Sequence, residues 1–372
     1  MRLSAFLLLL GACELGEPGG DECSGEVFVG TVTFSGESAA DDVATFCEAY
    51  VGADAVRVEG TDWADLEPLA CVCSIGSLSL VDNAALATTA PVRVEPRELA
   101  EAEVSGSPLL ADLAAYRDVG GFGSLHLAEL DLANLDDLAA ATYLDDVRVE
   151  QMPSLVSIDG LAADVRVGEL VLESAPLLAS IGEWGPPRTL AGLTLSGTAV
   201  PTLSGLEDTA SLSRLALVGN SELGSLSGFP LTTDSLVSLS VGDSPALVSL
   251  ASLSGVTALY HLSLQSLAPE ATLAGLGSLS QVGGLNVTGI PALRSLNGLE
   301  GLRYVTSTGI HIEVSESGAA LVDLSALDGL QSVVGGVTIT GQVTGPACQG
   351  LWESLKEVID ASEFSCGTFE PD

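Results

Sequence analysis

The stretch Leu212-Ser213-Arg214-Leu215-Ala216-Leu217-Val218-Gly219-Asn220-Ser221-Glu222-Leu223-Gly224-Ser225-Leu226-Ser227-Gly228 decides the fold. Leu215 and Leu217 flank a small residue, so in an extended chain both side chains face one way. Gly219 and Asn220 supply backbone that bends sharply, and Leu223 and Leu226 form a second apolar anchor. The same plan runs through the chain. Fourteen apolar-x-apolar doublets follow one another, from Val32/Phe34 and Val56/Val58 through Leu125/Leu127 and Leu193/Leu195 to Ile310/Ile312 and Val337/Ile339, in steps of 22–27 residues. A period held that long marks a repeat array.

Between doublet and anchor lies turn chemistry, as in Met152-Pro153, Ala175-Pro176, Ser244-Pro245 and Ile290-Pro291. Val119-Gly120-Gly121, Val282-Gly283-Gly284 and Val334-Gly335-Gly336 predict a further bend before the next doublet. Apolar spacing of 3.6 is nowhere sustained beyond about two turns between doublets, so strands connect to strands. One such unit cannot bury its own apolar face. Stacked units align the doublets into parallel ladders about 4.8 Å apart and close a core. The prediction is a mainly β solenoid of about fourteen rungs with short helical, disulfide-stapled caps, spanning 23–347 with its N-terminal cap and followed by a C-terminal cap and tail over 348–372. Ser38–Tyr50, with Asp41 and Asp42 ahead of Val43, Phe46 and Tyr50, predicts the first cap helix; 351–359, with Leu351, Leu355, Val358 and Ile359 on one face, predicts the second.

Six cysteines fit that plan: Cys23, Cys47, Cys71 and Cys73 near the start, Cys348 and Cys366 near the end. An even set in an exported chain predicts disulfides rather than metal ligands. Cys23–Cys47 and Cys348–Cys366 are the preferred pairings. Cys71 and Cys73 either bond each other or exchange with the first pair.

Leu212-x-x-Leu215-x-Leu217-x-x-Asn220 resembles the leucine-rich-repeat signature. The residues inserted before Leu223, the Gly-Gly pairs and the terminal cysteines make residues 23–366 more similar to the receptor L-domain, found in growth-factor receptor ectodomains and bacterial surface lipoproteins. The resemblance implies a right-handed β-helix-like solenoid and a role in recognition. Val81–Leu99 and Ser307–Gly336 stretch the period, and one long array and two fused modules both remain open.

Residues 1–12 carry a minimal positive end and the apolar run Leu3–Leu10, too short to span a bilayer and suited to a secretory leader. Leu10-Gly11-Ala12-Cys13 resembles the lipobox of bacterial lipoproteins. That resemblance implies cleavage before Cys13 and lipidation of Cys13, which several acyl chains would hold firmly to a membrane. Residues 13–22 read as a short flexible tether, and Glu14, where the family's inner-membrane retention signal has Asp, implies the outer membrane.

Charge and composition narrow the partners. Fifty acidic against twelve basic residues give a net charge of −38, which excludes phosphate-driven nucleic-acid binding. Mean hydropathy of +0.44 excludes an acidic disordered chain. No serine-nucleophile elbow, His-Glu-x-x-His pair or phosphate-binding loop occurs. His126, His261 and His311 fall on different rungs and read as solvated surface histidines, so the sequence predicts no enzyme, cofactor or metal. Trp63 and Trp184 read as packing residues. The outward side of the ladder places Asp146, Arg148 and Glu150 on one rung beside Glu169 and Glu173 on the next, a possible binding face for a cation or basic partner, or simply a solvated charged surface. Elsewhere Ser79, Thr194, Ala216, Ser240, Ser263, Asn286 and Thr338 make that side small, polar and bare of aromatic platforms. The expected function is a membrane-anchored recognition or adhesion surface toward a protein or extracellular polymer, the alternatives being a β-helix polysaccharide-degrading enzyme and a passive spacer.

Overall fold

The computed structural model describes residues 25–94, 98–161, 163–184, 188–209, 211–229, 236–315 and 320–371. Cys13, Cys23, the leader and the tether lie outside the described residues. Two compact units divide the chain, Met1–Pro176 and Leu177–Asp372.

Each unit is a parallel β-solenoid whose ladders follow the doublets. In the first, Val32 and Phe34 pair with Val56 and Val58, which pair with Leu78 and Leu80. Ala102/Val104, Leu125/Leu127, Val147/Val149 and Leu170/Leu172 continue the stack. In the second unit Leu193/Leu195 begins a stack that runs through Leu215/Leu217, Leu239/Val241, Leu262/Leu264, Leu285/Val287 and Ile310/Ile312 to Val337/Ile339. Every one of these doublet residues except Val32 is buried. An added rung, Phe364/Cys366, pairs with Val337/Ile339; the sequence reading took Cys366 only as half of a staple.

Two residues past nearly every doublet the chain enters the left-handed region. Asp82, Glu129, Gln151, Ser174, Asp243 and Ser266 have φ between 47° and 57°, and glycines such as Gly60, Gly197, Gly219 and Gly289 hold the same place in other coils. That left-handed residue stands at or within one residue of the strand's end and turns the next side chain inward, where Met152, Ala175 and Ile290 are buried.

The return path carries apolar residues at every third position, such as Leu247, Leu250, Leu253 and Val256, or Leu293, Leu296, Leu299 and Leu302, all buried. Three is the period of the 3₁₀ turn, and short 3₁₀ segments occur there, including Ala251–Leu253 and Ser325–Leu327. Just before the second leucine a short polar side chain accepts the N–H two residues on. Asp112 does so from Ala114, Asn134 from Asp136, Ser157 from Asp159, Ser249 from Ala251 and Asp323 from Ser325. These local bonds replace the backbone partners that a helix would have provided. Burial pulls the Asp112 carboxyl upward, but bonds from Thr88, Ala114 and Thr89 outweigh it and hold that carboxyl below its ordinary range.

Buried polarity repeats on a larger scale. Asn83 Oδ1 accepts from the N–H and hydroxyl of Thr61, while its Nδ2 donates to the Val58 carbonyl. Asn220 makes the same three bonds with Thr198 and Leu195. One coil further, Ser107 and Ser244 each donate to the carbonyl two residues back. Thr61, Asn83 and Ser107 thus recur 137 residues later as Thr198, Asn220 and Ser244. A succession of three buried polar residues, matched in spacing and bonding, favours two fused modules over one undifferentiated array.

Helix α1 (Ala39–Cys47) caps the first rung, burying Val43 and Phe46, with the Phe46 ring 5.7 Å from that of Phe34. Helix α2 (Gly345–Leu355) starts and ends earlier than the predicted 351–359, because Pro346 opens it and the chain turns after Lys356. Ile359 still packs inward from beyond the helix.

Cys348 bonds Cys366 as expected, but Cys47 bonds Cys71 rather than Cys23. The physical reason is the repeat itself: Cys47 and Cys71 stand 24 residues apart, one coil, which sets the end of α1 against the 3₁₀ turn Glu67–Cys71. Cys73 is disulfide-bonded as well, and not to Cys71.

The Gly-Gly pairs divide. Gly335 and Gly336, with φ of 85° and 79°, bend the chain as predicted. Gly283 and Gly284 lie inside the strand Gln281–Thr288, and the irregularity falls on the next rung, where Gly284 pairs with Gly309 two residues out of step. That slip accounts for part of the stretched period after Ser307.

Candidate functional site: the two strand faces

Outward residues of the first unit form a charged strip. Glu103, His126, Arg148 and Val171 stand side by side on successive rungs, flanked by Asp146 beside Glu169 and Glu150 beside Glu173. The five residues singled out from sequence are therefore neighbours. Arg148 Nη1 lies 3.2 Å from Glu150 Oε1. One element was missed: Arg57 sends Nε to Glu59 and Nη1 across a rung to Glu103, both at 2.9 Å, and these bonds hold its guanidinium above its ordinary pKa. Its signal was available, since Arg57 is the middle residue of Val56/Val58, just as Arg148 is of Val147/Val149.

His126 sits between Glu103 and Arg148, its Nε2 shielded from solvent without a hydrogen-bond partner and 4.0 Å from Glu150 Oε2. The carboxylates of the strip outnumber its guanidiniums, so the face is acidic yet internally cross-linked. No group of three or more His, Cys, Asp or Glu is placed to hold a metal ion among the described residues. His261 and His311 belong to the second unit, both exposed, on the strands Ala258–Leu267 and Tyr304–Val314.

The second unit presents a different face. Strands Ala258–Leu267 and Gln281–Thr288 contain no Asp, Glu, Lys or Arg. Thr194, Ala216, Ser240, Ser263 and Asn286 fill successive outward places, with Asn286 Nδ2 donating to Ser263 Oγ at 3.2 Å. The expectation that this side lacks aromatic platforms is corrected here. Tyr260 is 61% exposed and Tyr304 42%. Tyr260 stands on the strand Ala258–Leu267 and Tyr304 opens the strand Tyr304–Val314, each a few residues ahead of its doublet, where a search of the doublets' middle positions does not look. Tyr260 leans over Gly283: a Cβ there would meet its Cδ2 at 3.1 Å, and its hydroxyl reaches Ser307 Oγ at 3.3 Å. The Tyr304 hydroxyl donates to Gln331 Oε1 at 2.8 Å. Val237 and Val334, both half exposed, flank the pair.

Two further places complete the search of the surface. A shallow pocket of about 460 Å³ lies between α1 and the turn Glu67–Cys71, lined by Ala40, Ala44, Trp63, Asp65, Glu67 and Pro68. Trp63 and Trp184 are both buried, and Trp184 Nε1 donates to the Ile181 carbonyl, so both serve packing. No helix among the described residues is long and apolar enough to cross a membrane. No protein-family model, curated protein or solved structure matches the chain.

Proposed function

We propose that this chain is a cell-envelope lipoprotein of the outer membrane that presents its solenoid units as a non-catalytic recognition or adhesion surface. The leader over 1–12 is removed, Cys13 carries the lipid, and residues 13–22 tether the solenoid to the bilayer. The partner is another envelope protein or an extracellular polymer, in line with the resemblance to receptor L-domain and leucine-rich-repeat lipoproteins. The observation that carries a binding role is the distribution of chemistry. Two broad strand faces, one acidic and one made largely of small polar residues, are built on rigid ladders, and the three histidines stand on separate strands. Regular repeat faces of this kind suit recognition.

Cysteine arithmetic supports the anchor. The chain has seven cysteines, and the disulfides Cys47–Cys71 and Cys348–Cys366 plus a bonded Cys73 account for five. With Cys13 lipidated, Cys23 is the partner left for Cys73. Thiol titration of the denatured, unreduced mature protein is therefore expected to find no free thiol, and mass spectrometry a Cys23–Cys73 peptide. A free Cys23 would overturn this pairing.

Metabolic labelling with palmitate tests the anchor directly. The wild type is expected to take up label and sediment with membranes, and Cys13→Ala to lose both. Label retained by Cys13→Ala overturns the lipoprotein reading. Incubation of the purified chain with acidic polysaccharides tests the non-catalytic role: polymer length is expected to stay constant, and shortening would establish the enzyme alternative.

A further inference from the structure

The geometry points to the tyrosine ridge of the second unit as a binding site for an uncharged polysaccharide. This rests on the recognition reading and assigns it a place and a ligand class. Tyr260 and Tyr304 are large, exposed aromatic side chains held before any ligand arrives. Gly283 leaves the space beneath Tyr260, and Ser307 and Gln331 fix the two hydroxyls. A ring with its tip already pinned loses little conformational freedom on binding. An aromatic face attracts the C–H side of a sugar ring by dispersion and by its quadrupole, while the phenol and its polar neighbours remain for sugar hydroxyls. Thr306, Gln281 and Ser332 supply further uncharged polar groups alongside.

Charge selects the ligand class. The chain carries −38, and the first unit's face is dense with carboxylates, so acidic polymers are repelled overall. The ridge is sparsely charged by comparison: the strands Ala258–Leu267 and Gln281–Thr288 lack Asp, Glu, Lys and Arg, the strand Tyr304–Val314 carries Glu313 alone, and Arg303 just before it donates to the Glu300 and Leu302 carbonyls. A neutral glycan brings no charge of its own to be stranded there. A cationic partner would gain more on the first unit's face, where Asp146, Glu169, Glu150 and Glu173 lie. The direction of the ridge also suits a polymer. Tyr260 spans from its own rung past Gly283 to Ser307, along the stacking axis, and Tyr304 stands two rungs beyond Tyr260. Tyr304 is in register with Ala258, two residues along the strand from Tyr260; two rungs are about 10 Å and two strand residues about 7 Å, so one extended chain running obliquely across the ladder can lie over both rings.

Affinity electrophoresis of the full chain tests this in native gels containing hydroxyethyl cellulose, soluble β-glucan, soluble starch or, as the charged comparison, polygalacturonate. Retarded mobility is expected with at least one uncharged polymer and none with polygalacturonate. Tyr260→Ala is expected to weaken retardation at least tenfold, Tyr304→Ala less, and Tyr260→Phe to retain most of it. Tyr260 is exposed, so melting curves of these variants should match the wild type and separate loss of binding from loss of fold. Unchanged mobility in all three uncharged polymers overturns the assignment. So does retardation that survives both alanine variants, or retardation by polygalacturonate alone. If mobility is unchanged and polymer length is unchanged, the glycan assignment fails while the recognition reading stands. If polymers are shortened, the recognition reading itself fails.

Discussion

Gly228→Ala is expected to lower the folding stability of the second unit by about 2–5 kcal/mol, combining a left-handed backbone penalty of about 1–2 with a packing clash of about 1–3. Gly228 has φ of 94°, and a Cβ there would fall inside contact distance of the Leu203 carbonyl in the preceding coil. Gly205, Gly275 and Gly298 repeat the arrangement against the carbonyls of Gly182, Leu250 and Leu273, with φ between 104° and 114°. Backbone of one coil therefore rests on backbone of the last at this column, and neither side has a flexible side chain to move. Gly277→Ala is the control, since a Cβ there meets nothing within 4 Å. Urea unfolding should show Gly228→Ala shifted to much lower midpoint and Gly277→Ala within experimental error of the wild type. Equal midpoints for the two variants would contradict close backbone stacking.

Asn220→Ala is expected to cost about 3 kcal/mol, because each buried polar group left without a partner costs about 1–3 kcal/mol. The substitution strands the Thr198 N–H, the Thr198 hydroxyl and the Leu195 carbonyl in an interior where Asn220 is 1% exposed. Replacing Thr198 by Val in the same chain removes one stranded group, so the double variant should be more stable than the sum of the two single losses. A double-mutant cycle by urea unfolding is expected to give coupling of about 1–2 kcal/mol. Asn83→Ala, with the same three bonds in the first unit, should behave alike. Full additivity at either site would mean that the three bonds do not act as one network.

The rungs were legible because each doublet expresses period two, and that period is a direct consequence of strand geometry. Register followed without further information: once steps are near 23 residues, only one alignment buries both members of every doublet. The return path was less legible. Ser157, Ser225 and Ser249 stand in plain view before the second apolar anchor residue, yet their role as acceptors for the N–H two residues on depends on a turn that the alternation of apolar residues does not specify. Asn220 was read as a turn residue, which it is, while its burial and its bonds to the neighbouring coil needed the stack to be built first. The pairing Cys47–Cys71 follows from the coil length and was passed over in favour of cysteines closer to the terminus. On the outer faces, the charged strip around Arg148 was visible because consecutive middle positions carry charge. Tyr260 was not, because it stands two residues ahead of its doublet and its exposure depends on Gly283 in the following coil.

Inter-spin distances along one ladder test the stacking most directly. With nitroxide labels on cysteines replacing Thr194 and Asn286, or Thr194 and Thr338, the pairs stand four and six rungs apart in the second unit. Pulsed dipolar measurements should give about 19 Å and about 29 Å at roughly 4.8 Å per rung, broadened by the label arms. Distances that fail to grow with the number of rungs, or that scatter as for separately packed segments, would contradict a continuous stack of parallel coils.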